Sequence, residues 1–152
     1  MNFTADVYRT AAEEHVNAAR QLYTMERYVL AHYVAGLAVE CLFRAYKSRR
    51  NPAAPFDEHH GLHELAEAGR FYDLVPEKLA EIRAALGDVV TRWLNNHRYR
   101  SEGALRAFLK EKKLDRGLPR GTDVLKENSR RIVNAALQLV RLGVSQWGSQ
   151  SS

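Results

Sequence analysis

The stretch RWLNNHRYR, residues 92 to 100, contains side chains whose types suit chemistry on a phosphodiester. Arg92 carries a permanent charge that can stabilise charge developing on phosphorus, and His97 titrates close enough to neutral pH to accept and donate a proton. Cleavage of RNA by its own 2′-hydroxyl needs these two functions and no metal ion. The other polar residues are candidates for positioning a substrate: Asn95, Asn96, Arg98, Tyr99 and Arg100.

The spacing of Arg92 and His97 decides whether they can act together. In a continuous helix, residues five apart point about 140° away from each other. Asn95 and Asn96 tolerate the left-handed conformation that ends helices, so a helix end or kink there would bring His97 back toward Arg92. Alternatively, the two asparagines only cap the helix and the cations meet its negative end. Because one histidine is fewer than a two-sided acid and base mechanism uses, the catalytic hypothesis includes a symmetric dimer.

The elements that must hold this stretch are helical. Apolar residues recur at helical intervals, and no segment alternates apolar and polar residues as a half-buried strand does, so the predicted fold class is all-α. Thr4 can cap a first amphipathic helix over residues 5 to 24. Residues 28 to 46, YVLAHYVAGLAVECLFRAY, are apolar nearly all round, which is typical of a buried central helix. A short helix is expected over residues 62 to 71.

Three more helices complete the prediction. Pro76 can open a long helix, Ser101 can cap a basic helix that ends near residue 113, and Thr122 can cap the last helix. Residues 145 to 152 are expected to form a disordered tail. The predicted architecture is a single domain over residues 1 to 152, an antiparallel up-and-down four-helix bundle with one or two short extra helices. The core-facing stripe of the long helix is Leu79, Ile82, Leu86, Val89, Val90 and Trp93.

The net charge of +5 lies in the second half of the chain. Residues 92 to 131 contain 12 Lys and Arg against 5 Asp and Glu, a net +7, whereas the remaining positions hold 11 against 13, a net −2. Such a concentration favours a phosphate-rich partner, either RNA or a nucleotide, although a solvated basic face has the same composition. The basic helix LRAFLKEKKLDR is expected to turn Leu105, Phe108 and Leu109 inward and its cations outward.

The chain has one cysteine, Cys41, which lies in an apolar run and has no partner for a disulfide. We expect a buried, inert thiol and a reducing compartment. No run of about 18 uncharged apolar residues occurs, and the N-terminus lacks the features of a signal peptide. These observations predict a cytoplasmic protein that does not cross a membrane.

Two further groups of polar residues have competing interpretations. Glu40 lies in the apolar second helix, where an unpaired charge is costly. It either pairs with Arg44 one turn later or orients Arg92 or His97 by a hydrogen bond. The histidines at 59, 60 and 63 have spacing that a metal site could use, but no cysteine assists them, so we expect turn and packing roles and neither a metal nor a cofactor.

Several of these residues carry a family resemblance. The segment AHYVAGLAVECLFRAYKS resembles the second helix of HEPN domains, where Gly-x-Ala-x-Glu is followed one turn later by a basic residue; here these are Gly36, Ala38, Glu40 and Arg44. HGLHELAEAG is similar to the short helix that follows in many members. RWLNNHRY matches the family pattern of Arg, four residues, His, one residue, Tyr.

The resemblance implies a helical bundle, usually a homodimer, of the kind common in prokaryotic toxin–antitoxin and defence systems. Active members are metal-independent ribonucleases that use the Arg and His of the pattern at the dimer interface, so Arg92 and His97 would be catalytic. Some act beside a nucleotidyltransferase-like antitoxin that attaches AMP to the tyrosine, and Tyr99 is the corresponding residue.

Trp93 departs from the pattern of active members, which usually have a small polar residue after the arginine. Non-catalytic relatives carry a tryptophan followed by Arg-Tyr, and Trp93, Arg98 and Tyr99 match that arrangement. The resemblance therefore implies two functions. The chain is either a HEPN-type endoribonuclease or a non-catalytic HEPN module that binds a nucleotide, an RNA or a protein partner.

Overall fold

The computed structural model describes residues 3 to 56 and 61 to 148, except for the side chain of Arg98. Within these ranges the chain forms α-helices and short 3₁₀ segments and no strand, which confirms the all-α class. The α-helices are α1 (Ala5–Thr24), α2 (Tyr28–Arg50), α3 (Leu62–Ala68), α4 (Leu79–Arg92), α5 (Glu102–Glu111) and α6 (Val124–Trp147).

The four long helices share one apolar core. A three-residue turn reverses the chain between α1 and α2, which pack along each other, and α6 packs against α1, α2 and α4. Residues at helical spacing on each inner face are fully buried, including Ala12, Val39, Val89 and Ile132. The periodicity in the sequence reflects this packing, because each helix buries one stripe.

A second, smaller cluster attaches α5 to the beginning of α6. Leu105, Phe108 and Leu109 of α5 are buried against Leu125. This confirms the inward face expected for the basic helix, and Ser101 caps it as expected by accepting a hydrogen bond from the Ala104 amide. The cations of α5 are consequently left on the outside.

Several helix ends differ from the sequence prediction. Pro76 opens a 3₁₀ turn, Pro76–Lys78, and α4 begins only at Leu79. Val90, placed in the core-facing stripe, is 44% exposed, because the buried stripe of α4 continues from Leu86 through Val89 to Arg92 and Val90 lies about 100° to one side of it. The short helix α3 stops at Ala68, and its capping Gly69 lies so close to Tyr46 that a side chain would clash there.

The last helix is capped by Asp123 and not by Thr122. The Asp123 carboxylate accepts a hydrogen bond from the Lys126 amide at 3.2 Å and pairs with Arg106 of α5. A carboxylate is the stronger cap because it also meets the positive end of the helix.

We expect Asp123→Ala to lower the free energy of unfolding by about 1 kcal/mol, since the Lys126 amide loses its acceptor. Urea titration followed by circular dichroism measures this. Thr122→Ala is the matched control and should leave the unfolding midpoint unchanged. A larger loss of stability in Thr122→Ala than in Asp123→Ala would show that Thr122 is the cap.

The prediction of a disordered tail over residues 145 to 152 is wrong for residues 145 to 147. Helix α6 continues through Trp147, whose ring packs edge-on against Tyr46 at 5.0 Å between centroids and lies under the guanidinium of Arg49 at 4.1 Å. These contacts hold residues 145 to 147 in the helix. Residues 149 to 152 lie outside the described ones.

Helix α2 is the described helix long and apolar enough to cross a bilayer, with a mean hydropathy of 1.2 over its most apolar window. Of that window, 56% is buried inside the protein. The packing of α2 against α1, α3 and α6 accounts for this composition, because a helix surrounded by other helices is apolar on most faces.

Candidate functional site

The stretch that holds Arg92 and His97 leaves the helix earlier than its sequence suggests. Helix α4 ends at Arg92, and Trp93 and Leu94 have extended backbone. The chain then forms a 3₁₀ turn, Asn95–Tyr99, called here the 95–99 turn. Asn95 and Asn96 are exposed on this turn, so they neither kink nor cap α4.

Trp93, the first residue after α4, is anchored in the core. Its side chain is 7% exposed, its indole Nε1 donates to the carbonyl oxygen of Tyr33 at 3.0 Å, and its ring stacks on the Tyr33 ring. The indole lies directly over Gly36, where an added Cβ would meet ring atoms at 2.2 Å. The expectation that Trp93 is a core residue is therefore confirmed, and the glycine of Gly-x-Ala-x-Glu is the place where it fits.

Arg92 is buried, and its Nε and Nη1 atoms donate hydrogen bonds within the chain. Its side chain is 6% exposed, Nε donates to the amide oxygen of Asn128 at 2.8 Å, and Nη1 donates to the backbone and carboxylate oxygens of Asp88 at 3.0 and 3.1 Å. Asn128 in turn donates to the carbonyls of Val124 and Leu114. These bonds tie the end of α4 to the beginning of α6.

His97 is also buried, at 2% exposure. Its Nδ1 accepts a hydrogen bond from the Leu94 amide at 3.2 Å, which closes the 95–99 turn. Its ring packs edge-on against Phe108 at 4.7 Å and beside His32 at 5.4 Å, measured between ring centroids. His97 thus folds back toward the end of α4, but it is held by the core.

The link between Arg92 and His97 runs through His32, which the sequence did not single out as a partner of either. His32 is fully buried in α2, and its Nε2 donates to the carbonyl oxygen of Arg92 at 2.7 Å. The second nitrogen of His32, Nδ1, must then be an acceptor, and the second nitrogen of His97, Nε2, must carry the proton. Both are buried and lack a hydrogen-bond partner among the described residues.

Burial sets the charge of this histidine pair. Loss of hydration lowers the pKa of His32 to about 4, despite its bond to the Arg92 carbonyl, and lowers the pKa of His97 to about 4, with a smaller contribution from Arg100. Both rings are therefore neutral at physiological pH. A neutral imidazole can accept a proton, but it does not supply the cation that a general acid requires.

The described candidate positioning residues lie at the surface, unlike the catalytic candidates Arg92 and His97. Tyr99 is 76% exposed at the end of the 95–99 turn, and Arg100 lies over the ring of Phe108, with its guanidinium carbon 5.2 Å from the centroid. The side chain of Arg98 is outside the described part. Arg100 therefore lies against α5 and Tyr99 is exposed, while Arg92 and His97 face inward.

Glu40 and Arg44 form an ion pair with each other, at 3.5 Å, and not with the candidate site. They follow His32 by eight and twelve residues, about 12 and 18 Å along the axis of α2. Arg44 also lies over the ring of Phe56 at 4.3 Å. The structure thus favours the ion-pair interpretation over a supporting role behind Arg92 or His97.

The remaining titratable candidates have structural partners. His63 contacts the Tyr72 hydroxyl at 2.6 Å and Glu67 at 3.1 Å, whereas the histidines at 59 and 60 lie outside the described residues. Among the residues that are described, no three or more potential metal ligands converge. Cys41 is partly exposed and not buried as expected, and the loss of hydration raises the pKa of its thiol to about 12, so the thiol stays protonated.

An exposed basic surface lies beside the 95–99 turn. The cations that define this surface have no ion pair with any carboxylate that the structure describes, in contrast to Arg106, Arg130 and Arg131. Two of its cations, Arg100 and Lys112, lie over the ring of Phe108, at 5.2 and 5.9 Å from its centroid. The basic surface consists of Arg100, Lys110, Lys112, Lys113 and Arg116.

The described residues thus form an all-helical protein in which an arginine, an asparagine and two histidines are buried where α2, α4 and α6 meet, beside exposed cations. Comparison of the chain with protein-family models, with curated proteins and with solved structures gave no match.

Proposed function

We propose that this chain is a HEPN-like helical module that binds single-stranded RNA through its basic surface and does not cleave it. The proposal rests on one observation: Arg92 is buried, whereas the cations of the basic surface are accessible to solvent. Arg92 is committed to the interior, whereas Arg100, Lys110, Lys112 and Lys113 have no ion pair with a carboxylate among the described residues, and Tyr99 next to Arg100 is exposed.

The burial of Arg92 and His97 supports binding without catalysis. Groups that stabilise a phosphorane or move a proton must come within hydrogen-bond distance of the reacting atoms. The hydrogen bonds of Arg92 to Asn128 and Asp88 would have to break first, leaving buried polar groups without partners.

The exposed residues suit RNA. Lysine and arginine neutralise phosphates, and an exposed aromatic ring offers a face on which a base stacks. Tyr99 and Arg100 are consecutive, so a base on the tyrosine would leave its phosphate near the basic surface. The packing of α1, α2, α4 and α6 around one core supports the further proposal of an up-and-down four-helix bundle of HEPN type.

The experiment is fluorescence anisotropy of a labelled single-stranded RNA with wild type and with the triple variant Lys110→Glu, Lys112→Glu, Lys113→Glu. We expect binding at least about tenfold weaker in the variant and a salt dependence whose slope is smaller by about 2, since three phosphate contacts are lost. RNA incubated with wild type in EDTA should remain intact.

The matched control is a triple variant with the same change in net charge: Lys78→Glu in the turn before α4, Arg83→Glu in α4 and Arg141→Glu in α6. It should weaken binding much less. Equal losses in both triple variants would mean that RNA is attracted by overall charge and not by the basic surface.

A second candidate function is metal-independent RNA cleavage, favoured by the pairing of His32 with His97. The pair places two imidazole rings at the end of α4 within one chain, and because both are neutral at pH 7 one of them would have to take up a proton before it could act as the acid. The 95–99 turn would have to open for RNA to reach them. In that case the nucleotidyltransferase-like antitoxin implied by the resemblance would be the partner, with Tyr99 as its target.

Cleavage assays separate the two functions. Wild type and His97→Ala are incubated with RNA in EDTA, with circular dichroism as the check on folding. Cleavage by wild type alone, leaving 2′,3′-cyclic phosphates, would replace the binding proposal by the ribonuclease. Intact RNA with both proteins, together with saturable binding, supports the module.

We further propose that two copies associate through an apolar side of α2. Leu30, Val34, Leu37 and Cys41 recur at intervals of three or four residues, so they lie on one side of the helix, and all four are partly or largely exposed. An apolar stripe on the outside of a helix is self-complementary across a two-fold axis.

We expect wild type to have twice the chain mass of 17.3 kDa in light scattering, and Leu37→Glu to shift it to the monomer, since a charge would be buried in the interface. Val7→Glu is the control, because Val7 is 50% exposed on α1 and lies outside the stripe. A monomeric wild type, or a Leu37→Glu variant that remains dimeric, would contradict this interface.

A further inference from the structure

A polar pocket lies at the end of α2 that is farthest from Arg92. It encloses only about 20 Å³ and is otherwise open to solvent, so a bound group would lie largely in its mouth. The last turns of α2 supply Arg44, Lys47 and Ser48, α1 supplies Tyr8, and the following loop supplies Asn51 and Phe56. The pocket is about 18 Å along α2 from His32, so it is separate from the candidate site.

Tyr8 provides the first indication of a ligand. Its side chain is 8% exposed, and its hydroxyl is buried without a hydrogen-bond partner among the described residues. The ring is anchored by an edge-on contact with Phe3 at 5.8 Å. A buried hydroxyl without a partner costs stability, and a bound group that accepts its hydrogen bond would recover that cost.

The charge of the pocket selects the kind of ligand. Lys47 forms no ion pair with a described carboxylate, and Arg44, although bound to Glu40, adds a second positive charge. Helix α2 ends here, and a helix C-terminus carries about half a negative charge. The charge of Lys47, which lines the pocket, offsets it, whereas Arg49 lies over the Trp147 ring and Arg50 is not among the lining residues.

The donors match an oxyanion. A lysine ammonium, two hydroxyls and an asparagine amide can each donate to a separate oxygen, and hydrogen bonds from a charged donor to an anion are the stronger ones. The ring of Phe56 stacks on Arg44 at 4.3 Å and keeps that guanidinium against the pocket.

We propose that this pocket binds a phosphate group, either free inorganic phosphate or the end of a phosphate monoester, with Lys47 and Tyr8 as its principal contacts. The proposal is independent of RNA binding, because it uses none of the residues of the basic surface.

Isothermal titration of the full chain with inorganic phosphate, and separately with methyl phosphate, tests the proposal. We expect saturable binding at one site per chain. Binding should be at least about tenfold weaker in Lys47→Gln, which loses a charged hydrogen bond, and weaker to a lesser degree in Tyr8→Phe, which keeps the ring. Lys78→Gln, a lysine outside the pocket, should bind as wild type does.

The two titrants distinguish the source of the phosphate. Tighter binding of inorganic phosphate assigns the free ion, whereas equal or tighter binding of methyl phosphate assigns a monoester whose ester oxygen faces solvent. Absence of saturable binding to wild type, or equal binding by wild type and Lys47→Gln, overturns the proposal. Thermal melts with and without phosphate show that Tyr8→Phe is folded when it is compared.

Discussion

Lowering the pH from 7 to 5 is expected to reduce the free energy of unfolding by about 4 kcal/mol through His32 and His97 together, about 2 kcal/mol from each. In the unfolded chain a histidine binds its proton near pH 6.5, whereas burial keeps both rings neutral in the folded chain down to about pH 4. Between these values the unfolded state binds more protons. The stability is therefore complete above pH 6.5 and is lost as the pH falls toward 4.

Urea titrations at half-unit intervals from pH 7.5 to 4 measure this loss. His97→Asn keeps an acceptor for the Leu94 amide, and His32→Gln keeps a donor for the Arg92 carbonyl, so each variant removes the titration with little change in hydrogen bonding. Each should lose about half of the pH dependence. If wild type and the double variant have the same dependence, other groups are responsible.

The predicted loss of stability at low pH affects the candidate site directly. The two histidines join α2 to the 95–99 turn and to the end of α4, so protonation of either puts an unpaired charge into the buried cluster that holds Arg92. Near pH 5 we expect this turn to open before the rest of the chain. Hydrogen exchange at the Leu94 and His97 amides, compared with amides in the middle of α6, measures that order.

Gly36→Ala is expected to reduce the free energy of unfolding by about 3 kcal/mol, the upper end of the usual cost of overpacking. The added methyl group would lie 2.2 Å from three atoms of the Trp93 indole, which is fixed by its hydrogen bond to Tyr33 and by stacking on that ring. The clash is relieved only if Trp93 moves, and the extended backbone before the 95–99 turn then moves with it.

The control is a helical glycine with open space around it. A Cβ at Gly87, in the middle of α4, meets nothing within 4 Å, so Gly87→Ala should raise the stability by about 0.5 to 1 kcal/mol. In a Trp93→Ala background, Gly36→Ala should cost little, because the clashing ring is gone. A full penalty in that background would show that helix packing, and not Trp93, excludes a side chain at residue 36.

What the sequence determined by itself is the set of helices and the side that each one buries. Apolar residues at three- and four-residue intervals identified the inner faces of α4, apart from Val90, and of α5, and Thr4 and Ser101 were correctly predicted as caps. These features depend on residues within about four positions of each other, so they can be read along the chain. For the same reason Trp93 was recognised as a core residue from its place in the stripe of α4.

Only the tertiary structure decided what Arg92 and His97 contact. Their spacing was compatible with a solvent-facing pair, but Asn128 and His32, 36 and 60 residues away from Arg92, hold its side chain and its carbonyl inside the core. Whether a polar side chain is buried depends on partners from other helices that satisfy its hydrogen bonds, and no local pattern records them. The sequence therefore identified Arg92, His97 and the outward face of α5, while the packing of α2 and α6 against the end of α4 brought His32 and Asn128 to the site and determined that Arg92 and His97 face inward.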